Sequence, residues 1–404
     1  MNNFQKISVA LLLGYAINLG QFAGNLLKLK LPVEEIFWIL PCMLLLAQRF
    51  GKKIKLPYLL LFVAIEIWIL TIEYNLLIPY KVSIPNTKYA LGIFKFYTIY
   101  IALLTIKPSR ENIVYLLKLS IKILIPFISI FYLQYLDLIN LSFVQSEEII
   151  NRHNVGNLIN INGISLVASY GVLCILLLLK LNPDISLKNK RFLKILIPYF
   201  LTIIFLHASR GAFIIAVLLL IVYYRKLIFK PKNIIYLILG ITGFIFLSLY
   251  IDLAEDIAII KRILGKSHAN TGRGQQIIAT WNNFLKEPFL GLGYDKAGIN
   301  WKLNTIRSNF HYTQILASYG LVLAGSYFFF LERIFGYNRH NWIAPYSIIF
   351  AVIIFASYNW SMILILSFLG YYNYYGKTEA KHIVNDHKPA NLTNKLINKH
   401  AFKK

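Results

Sequence analysis

Three arginines and one histidine carry the chemistry that this sequence can offer: Arg210, Arg273, Arg307 and His311. A guanidinium grips phosphate oxygens through two parallel N–H bonds. An imidazole with an ordinary pKa of about 6.5 can take a proton from a hydroxyl at neutral pH. Together these residues amount to two or more grips for a phosphorylated group beside one candidate base.

Each sits in a short, recognisable context. Arg210 lies in Leu-His-Ala-Ser-Arg-Gly-Ala, residues 206–212, at a junction between two apolar runs. A charge so close to hydrocarbon is costly, and an ionisable group held there is a functional hypothesis by default. The alternative is a snorkelling arginine that anchors a helix end. Arg273 falls in Asn-Thr-Gly-Arg-Gly-Gln, residues 270–275, where Asn270 or Thr271 can cap a helix. Ile277, Ile278, Trp281, Phe284 and Leu285 then share one helical face, and Pro288 ends the segment. This predicts a short amphipathic helix lying along a membrane surface or over a cavity. Its N-terminus already favours an anion at Arg273.

Residues 288–294, Pro-Phe-Leu-Gly-Leu-Gly-Tyr, place two glycines two apart, which predicts a turn whose backbone can approach something closely. No strand precedes it and no third glycine follows in register, so it is not a dinucleotide fingerprint. Arg307-Ser-Asn-Phe-His311-Tyr312 leads into the next apolar run. A histidine in that position can be structural or can act as a base.

The elements that must position these groups are helices in a membrane. The 404 residues are 57% hydrophobic, and many apolar runs reach about 18 residues, enough to cross a bilayer. Barrel strands would alternate apolar and polar residues, and these runs do not. The net charge of +25 finds no soluble domain to present it, so nucleic acid is not an expected partner. Cys42 and Cys174 lie inside apolar runs and form no metal spacing. The first run lacks a small-residue cleavage site and is read as a retained helix.

The expected architecture is an all-α polytopic membrane protein with about twelve spans, at 7–26, 33–48, 57–79, 89–106, 113–136, 158–179, 192–208, 211–224, 234–251, 313–331, 343–358 and 360–375. Residues 1–251 hold spans one to nine, 252–312 form one long outer loop, 313–375 hold the last three spans, and 376–404 make a basic tail. Lys/Arg clusters in alternate loops place both termini in the cytoplasm. The long loop then lies outside, although Glu255 to His311 carries eight Lys/Arg against four Asp/Glu. Tolerated charge in a long loop and binding of an anion at the outer face both account for that excess. Lys95, Lys118, Lys122, Glu66 and Glu73 fall in or near apolar runs, where they either mark a path through the bundle or snorkel.

In its ordered motifs the chain resembles the bacterial O-antigen polymerase and ligase superfamily of integral-membrane glycosyltransferases. The resemblance rests on Ser209-Arg210-Gly211-Ala212, on Gly272-Arg273 ahead of Trp281, and on residues 288–294. It continues with the His311 region before residues 315–321, Ile-Leu-Ala-Ser-Tyr-Gly-Leu. It implies a metal-independent and cofactor-free transferase in the bacterial inner membrane, acting on a sugar chain carried by undecaprenyl pyrophosphate. Arg210 and Arg273 would then hold the pyrophosphate, with Arg307, Asn309, Trp281 and Tyr294 completing the pyrophosphate and glycan site. His311 would activate the acceptor hydroxyl, so that the catalytic set is His311, Arg210 and Arg273. Counting eleven back from Gly320, the family spacing falls on Asn309, and His311 stands two residues beyond.

The reaction expected is polymerisation of repeat units into O-antigen or capsular polysaccharide. The alternative is ligation of the polymer to lipid A–core, which would then be an acceptor partner. Membrane lipids and a chain-length regulator are further expected partners. A lipid-linked oligosaccharide flippase is the rival class, but no internal repeat is visible and one outer loop dominates.

Overall fold

The computed structural model describes residues 1–17, 19, 33–48, 87–136, 138–139, 161–207, 209–228, 230, 233, 273–292, 299–301, 304–306, 311–357 and 364–386. In chain order the helices are α1 (Asn3–Ala16), α2 (Val33–Ala47), α3 (Thr87–Leu104), α4 (Arg110–Tyr135), α5 (Ile161–Leu181), α6 (Leu187–Leu206) and α7 (Arg210–Ile228). They continue with α8 (Arg273–Lys286), α9 (His311–Phe335), α10 (Ala344–Ser357) and α11 (Ile365–Asp386). A small antiparallel hairpin, β1 (Ile299–Trp301) and β2 (Asn304–Ile306), stands between α8 and α9, with Ile299 opposite Ile306.

Every predicted span on described residues meets a helix, whereas 57–79 and 234–251 lie outside the described residues. The ends differ for local reasons. α1 starts earlier than hydropathy suggests, because Asn2 and Gln5 form a reciprocal capping box that satisfies two free N–H groups. Ser109 and Ser186 cap α4 and α6 through one bond each, accepting from the backbone N–H three residues on. α11 runs past its apolar stretch into polar sequence as far as Asp386.

Among the described residues, α4, Gly163–Leu181 of α5 and Gly211–Ile228 of α7 are long and apolar enough to cross a membrane. The two halves of α9, Tyr312–Val322 and Ala324–Phe335, qualify together but are bent by 113°. Apolar stretches in α2, α3 and α10 are shorter, and Lys188, Lys190, Arg191 and Lys194 crowd the start of α6. Among the described residues, then, three helices, or four if the bent α9 counts as one span, meet that test, against twelve expected spans of which two lie outside the described residues.

α5 is the axis of the bundle. It is buried on almost every side by α4, α6 and α7. α11 packs against α3, α4, α9 and α10, and α7 against α10. Because lipid tails offer no hydrophobic advantage to helix pairing, polar ties and close packing set the register. Ser120 (α4), Tyr170 (α5) and Tyr372 (α11) form a buried hydroxyl chain with steps of 3.2 and 3.1 Å. Asn341 donates to Asn373 Oδ1 at 2.7 Å, and Asn373 donates to the Ile334 carbonyl at 2.7 Å. Ser367 donates to the Phe96 carbonyl at 2.8 Å. Both cysteines are buried free thiols.

The intramembrane charges divide. Lys95 stands over the rings of Tyr15 and Trp38, 5.6 Å from each centroid, so its charge is held against aromatic faces. Lys118 and Lys122 lie on the exposed side of α4, one turn apart, consistent with snorkelling. Glu66 and Glu73 lie outside the described residues.

Candidate functional site

The junction carrying Arg210 is tight. α6 closes at His207, whose N–H donates to the Ile203 carbonyl at 3.1 Å, and the Ser209 carbonyl already accepts the first bond of α7 from Phe213 N–H at 3.0 Å. Arg210 is the first residue of α7. The junction is tied to the bundle axis by Ser169, which donates to the Ala212 carbonyl at 3.0 Å, and by a 3.4 Å contact between Ser165 Oγ and His207 Nδ1. His207 is the polar group at this site that sequence reading passed over. Its only signal was its place three residues before Arg210.

Arg273 is the first residue of α8, and His311 the first of α9. The expected amphipathic helix is therefore present, starting at Arg273, but its apolar residues serve two faces. Phe284 is buried against Ala317 of α9, while Ile278, Trp281 and Leu285 remain exposed. Thr280 donates to Thr313 at 2.9 Å. Further along, Leu321 N–H donates to the Pro288 carbonyl at 2.7 Å, and Leu292 N–H to the Ala317 carbonyl at 2.9 Å. Thr280 with Thr313, Phe284 with Ala317 and Pro288 with Leu321 advance together, so α8 and the first half of α9 run parallel. Their N-termini point the same way.

That parallel pair is locked by glycine. Gly291 (φ 78°) and Gly320 (φ 67°) both adopt positive φ. At Gly320 the ψ of −178° places the residue in a region reserved almost wholly for glycine. A Cβ at Gly291 would lie 2.4 Å from the Ser318 carbonyl oxygen, and one at Gly320 2.1 Å from that of Phe289. The turn predicted at Gly291 does approach something closely, namely the break in α9 itself.

α10 joins the two remaining ends. Tyr312 Oη donates to the Val352 carbonyl at 3.2 Å. A Cβ at the neighbouring Gly211 would sit 3.9 Å from Ile353 Cγ2. Consecutive residues of α10 thus touch the first turn of α9 on one side and the first turn of α7 on the other. The backbones of Arg210, Arg273 and His311 consequently head three helices that start at one end of the bundle. Free N–H groups and helix dipoles make such ends receptive to anions. Arg307, Asn309 and Tyr294 lie outside the described residues, as do all side-chain placements for Arg210, Arg273 and His311. Trp281 is described and sits exposed on α8. Among the described residues, no three His, Cys, Asp or Glu side chains converge as a metal cluster would require.

No curated protein and no solved structure matches the chain. Residues 195–328, about a third of the chain, match a family model described as O-antigen ligase. The matched segment runs from within α6 to within α9 and contains Arg210, Arg273, Trp281, Tyr294, Arg307, Asn309 and His311. This match supports assignment of the chain to the O-antigen polymerase and ligase superfamily.

Proposed function

We propose that this protein is a metal-independent glycosyltransferase that moves a glycan from undecaprenyl pyrophosphate to an acceptor hydroxyl at the outer face of the bacterial inner membrane. The observation that carries the reading is the convergence of three helix N-termini, headed by Arg210, Arg273 and His311, at one end of the bundle. The leaving group in such a transfer is a pyrophosphate, and its charge grows as the sugar–oxygen bond breaks. Guanidinium groups and backbone N–H groups aimed at that charge lower the barrier, with one such donor worth about 100–1,000-fold in rate. Arg210 and Arg273 take that role, with Arg307 and Asn309 beside them. His311 accepts the proton of the attacking hydroxyl. Trp281 and Tyr294 offer aromatic surface to the sugars. The basic excess of the 252–312 loop suits an anionic lipid carrier, and both chain termini then face the cytoplasm.

Polymerisation of repeat units into O-antigen or capsular polysaccharide is the preferred reaction. Ligation to lipid A–core is the second reading, favoured by the description of the matching family model. A chain-length regulator would be a partner of the polymerase only. The deciding experiment is a gel of surface polysaccharide from cells lacking the protein, complemented with wild type, Arg210→Ala or Arg273→Ala. Single repeat units on core with no ladder identify a polymerase. Full-length polymer held on the lipid carrier identifies a ligase. Repeat units trapped on the cytoplasmic side would refute the enzyme and leave a flippase. Normal polysaccharide from both arginine variants, at unchanged protein levels, would refute the pyrophosphate grip.

A further inference from the structure

The opposite end of the bundle carries a second cationic site. Lys180, in the last turn of α5, reaches over the Trp342 ring at 4.4 Å from its centroid and the Tyr346 ring at 5.5 Å. Trp342 is held in place by its Nε1–H, which donates to Glu379 Oε2 at 3.1 Å, and the other oxygen of Glu379 accepts from Tyr375 at 3.2 Å. Arg225 and Lys226, in the last turn of α7, are near enough to act on Lys180 electrostatically, and Arg225 also acts on Tyr346.

Among the described residues no carboxylate lies within ion-pair distance of these three cations, and all three are exposed. Arg110, close by, is engaged differently: its Nε donates to the Leu181 carbonyl at 2.9 Å and closes the end of α5. The C-terminal dipoles of α5 and α7 favour a cation each, but they do not remove the mutual repulsion of three. An anion does. Ile221 and Leu227, exposed on α7 to either side of Arg225 and Lys226, supply apolar surface next to the charges. A free anion has no use for that surface, whereas an acyl chain does.

We propose that Lys180, Arg225 and Lys226 form a headgroup site for an anionic phospholipid, floored by Trp342 and Tyr346, at the end of the bundle opposite Arg210. The phosphodiester sits among the three cations and the acyl chains lie along the exposed apolar side of α7. Each basic group near a lipid surface contributes about fivefold in affinity.

The test uses the purified full-length protein in detergent, with phosphatidylglycerol, phosphatidylcholine and inorganic phosphate as separate probes. Native mass spectrometry reads bound lipid, and thermal unfolding reads stabilisation. Phosphatidylglycerol is expected to bind and raise Tm, and phosphatidylcholine to do neither. The single variants Lys180→Gln, Arg225→Gln and Lys226→Gln should each weaken binding about fivefold, and the triple variant about 100-fold. Lys180→Arg with Lys226→Arg should retain it. Should the triple variant fail to fold, the three single variants carry the test. Undiminished phosphatidylglycerol binding in the variants would overturn the site. Equal stabilisation by inorganic phosphate alone would overturn the lipid as its occupant.

Discussion

Replacing Gly320 by alanine tests the lock between α8 and α9 most directly. The perturbation adds one methyl group to a residue at φ 67° and ψ −178°, with the Phe289 carbonyl oxygen 2.1 Å from where the new carbon must go. Backbone there cannot yield as a side chain would. The chain must relax, and relaxation separates residues 288–292 from 317–321. The conformational term is about 1–3 kcal/mol. The two hydrogen bonds lost, Leu321 to Pro288 and Leu292 to Ala317, contribute about 1 kcal/mol each. The sum is about 3–5 kcal/mol, felt locally as detachment of α8 from α9. Hydrogen exchange at the Leu292 and Leu321 amides reads this opening, and a loss of 3 kcal/mol corresponds to roughly 150-fold faster exchange. Gly325→Ala is the control, because a Cβ there meets nothing within 4 Å and the site is exposed. Unchanged exchange in Gly320→Ala, or an equal change in the control, would refute the lock.

Three further outcomes are expected. Thr280→Val removes the link to Thr313 and should loosen α8 by about 1 kcal/mol, seen as faster exchange over residues 277–284. Tyr312→Phe frees the Val352 carbonyl and should cost about 1 kcal/mol. If α10 does align the first turns of α7 and α9, this variant should also lower transfer activity at unchanged expression. Asn373→Ala removes two buried side-chain bonds, leaving the Asn341 amide only the Asn373 backbone carbonyl at 3.1 Å and the Ile334 carbonyl only Lys377 Nζ at 3.4 Å, so a loss of about 1–3 kcal/mol in thermal or denaturant unfolding is expected. A Tm indistinguishable from wild type would remove that tie from the account of the bundle.

Much of this architecture was legible in the sequence for a simple reason: hydropathy reports burial in lipid or core, and the helices on described residues follow it. Capping chemistry corrected the ends where hydropathy was silent, as at Asn2. The short helix from Arg273 was readable because a capping residue, an apolar face and a terminating proline agreed. Its two-sided burial was not, since Phe284 and Leu285 look alike until α9 claims one of them. Nor was the break at Gly320, where an apolar run continues unchanged through the bend and only the contact with Gly291 explains the glycine. The β1–β2 hairpin went unread because three-residue strands carry too little alternation to register. For the candidate site, sequence supplied the residue types and their order. That Arg210, Arg273 and His311 begin helices at one end depends on α10 and on the parallel α8–α9 pair, contacts that no local pattern encodes.

The ties of α11 have a consequence for how the molecule is put together. Ser367 reaches the Phe96 carbonyl 271 positions away, Tyr371 the Ile106 carbonyl 265 away, and Tyr372 reaches Tyr170 across 202. By contrast, the contacts between α8 and α9 span only about thirty residues and close as soon as that stretch emerges. α3 and α5 therefore lack these ties until residues 365–372 have been made, with the Tyr170 hydroxyl held meanwhile by Ser120. A nascent chain released before residue 365 would hold the helices bearing Arg210, Arg273 and His311 and still lack the strut that closes the bundle around α5. Closure of the bundle around α5 thus waits for α11, and chains truncated before residue 365 should be substrates for membrane proteolysis.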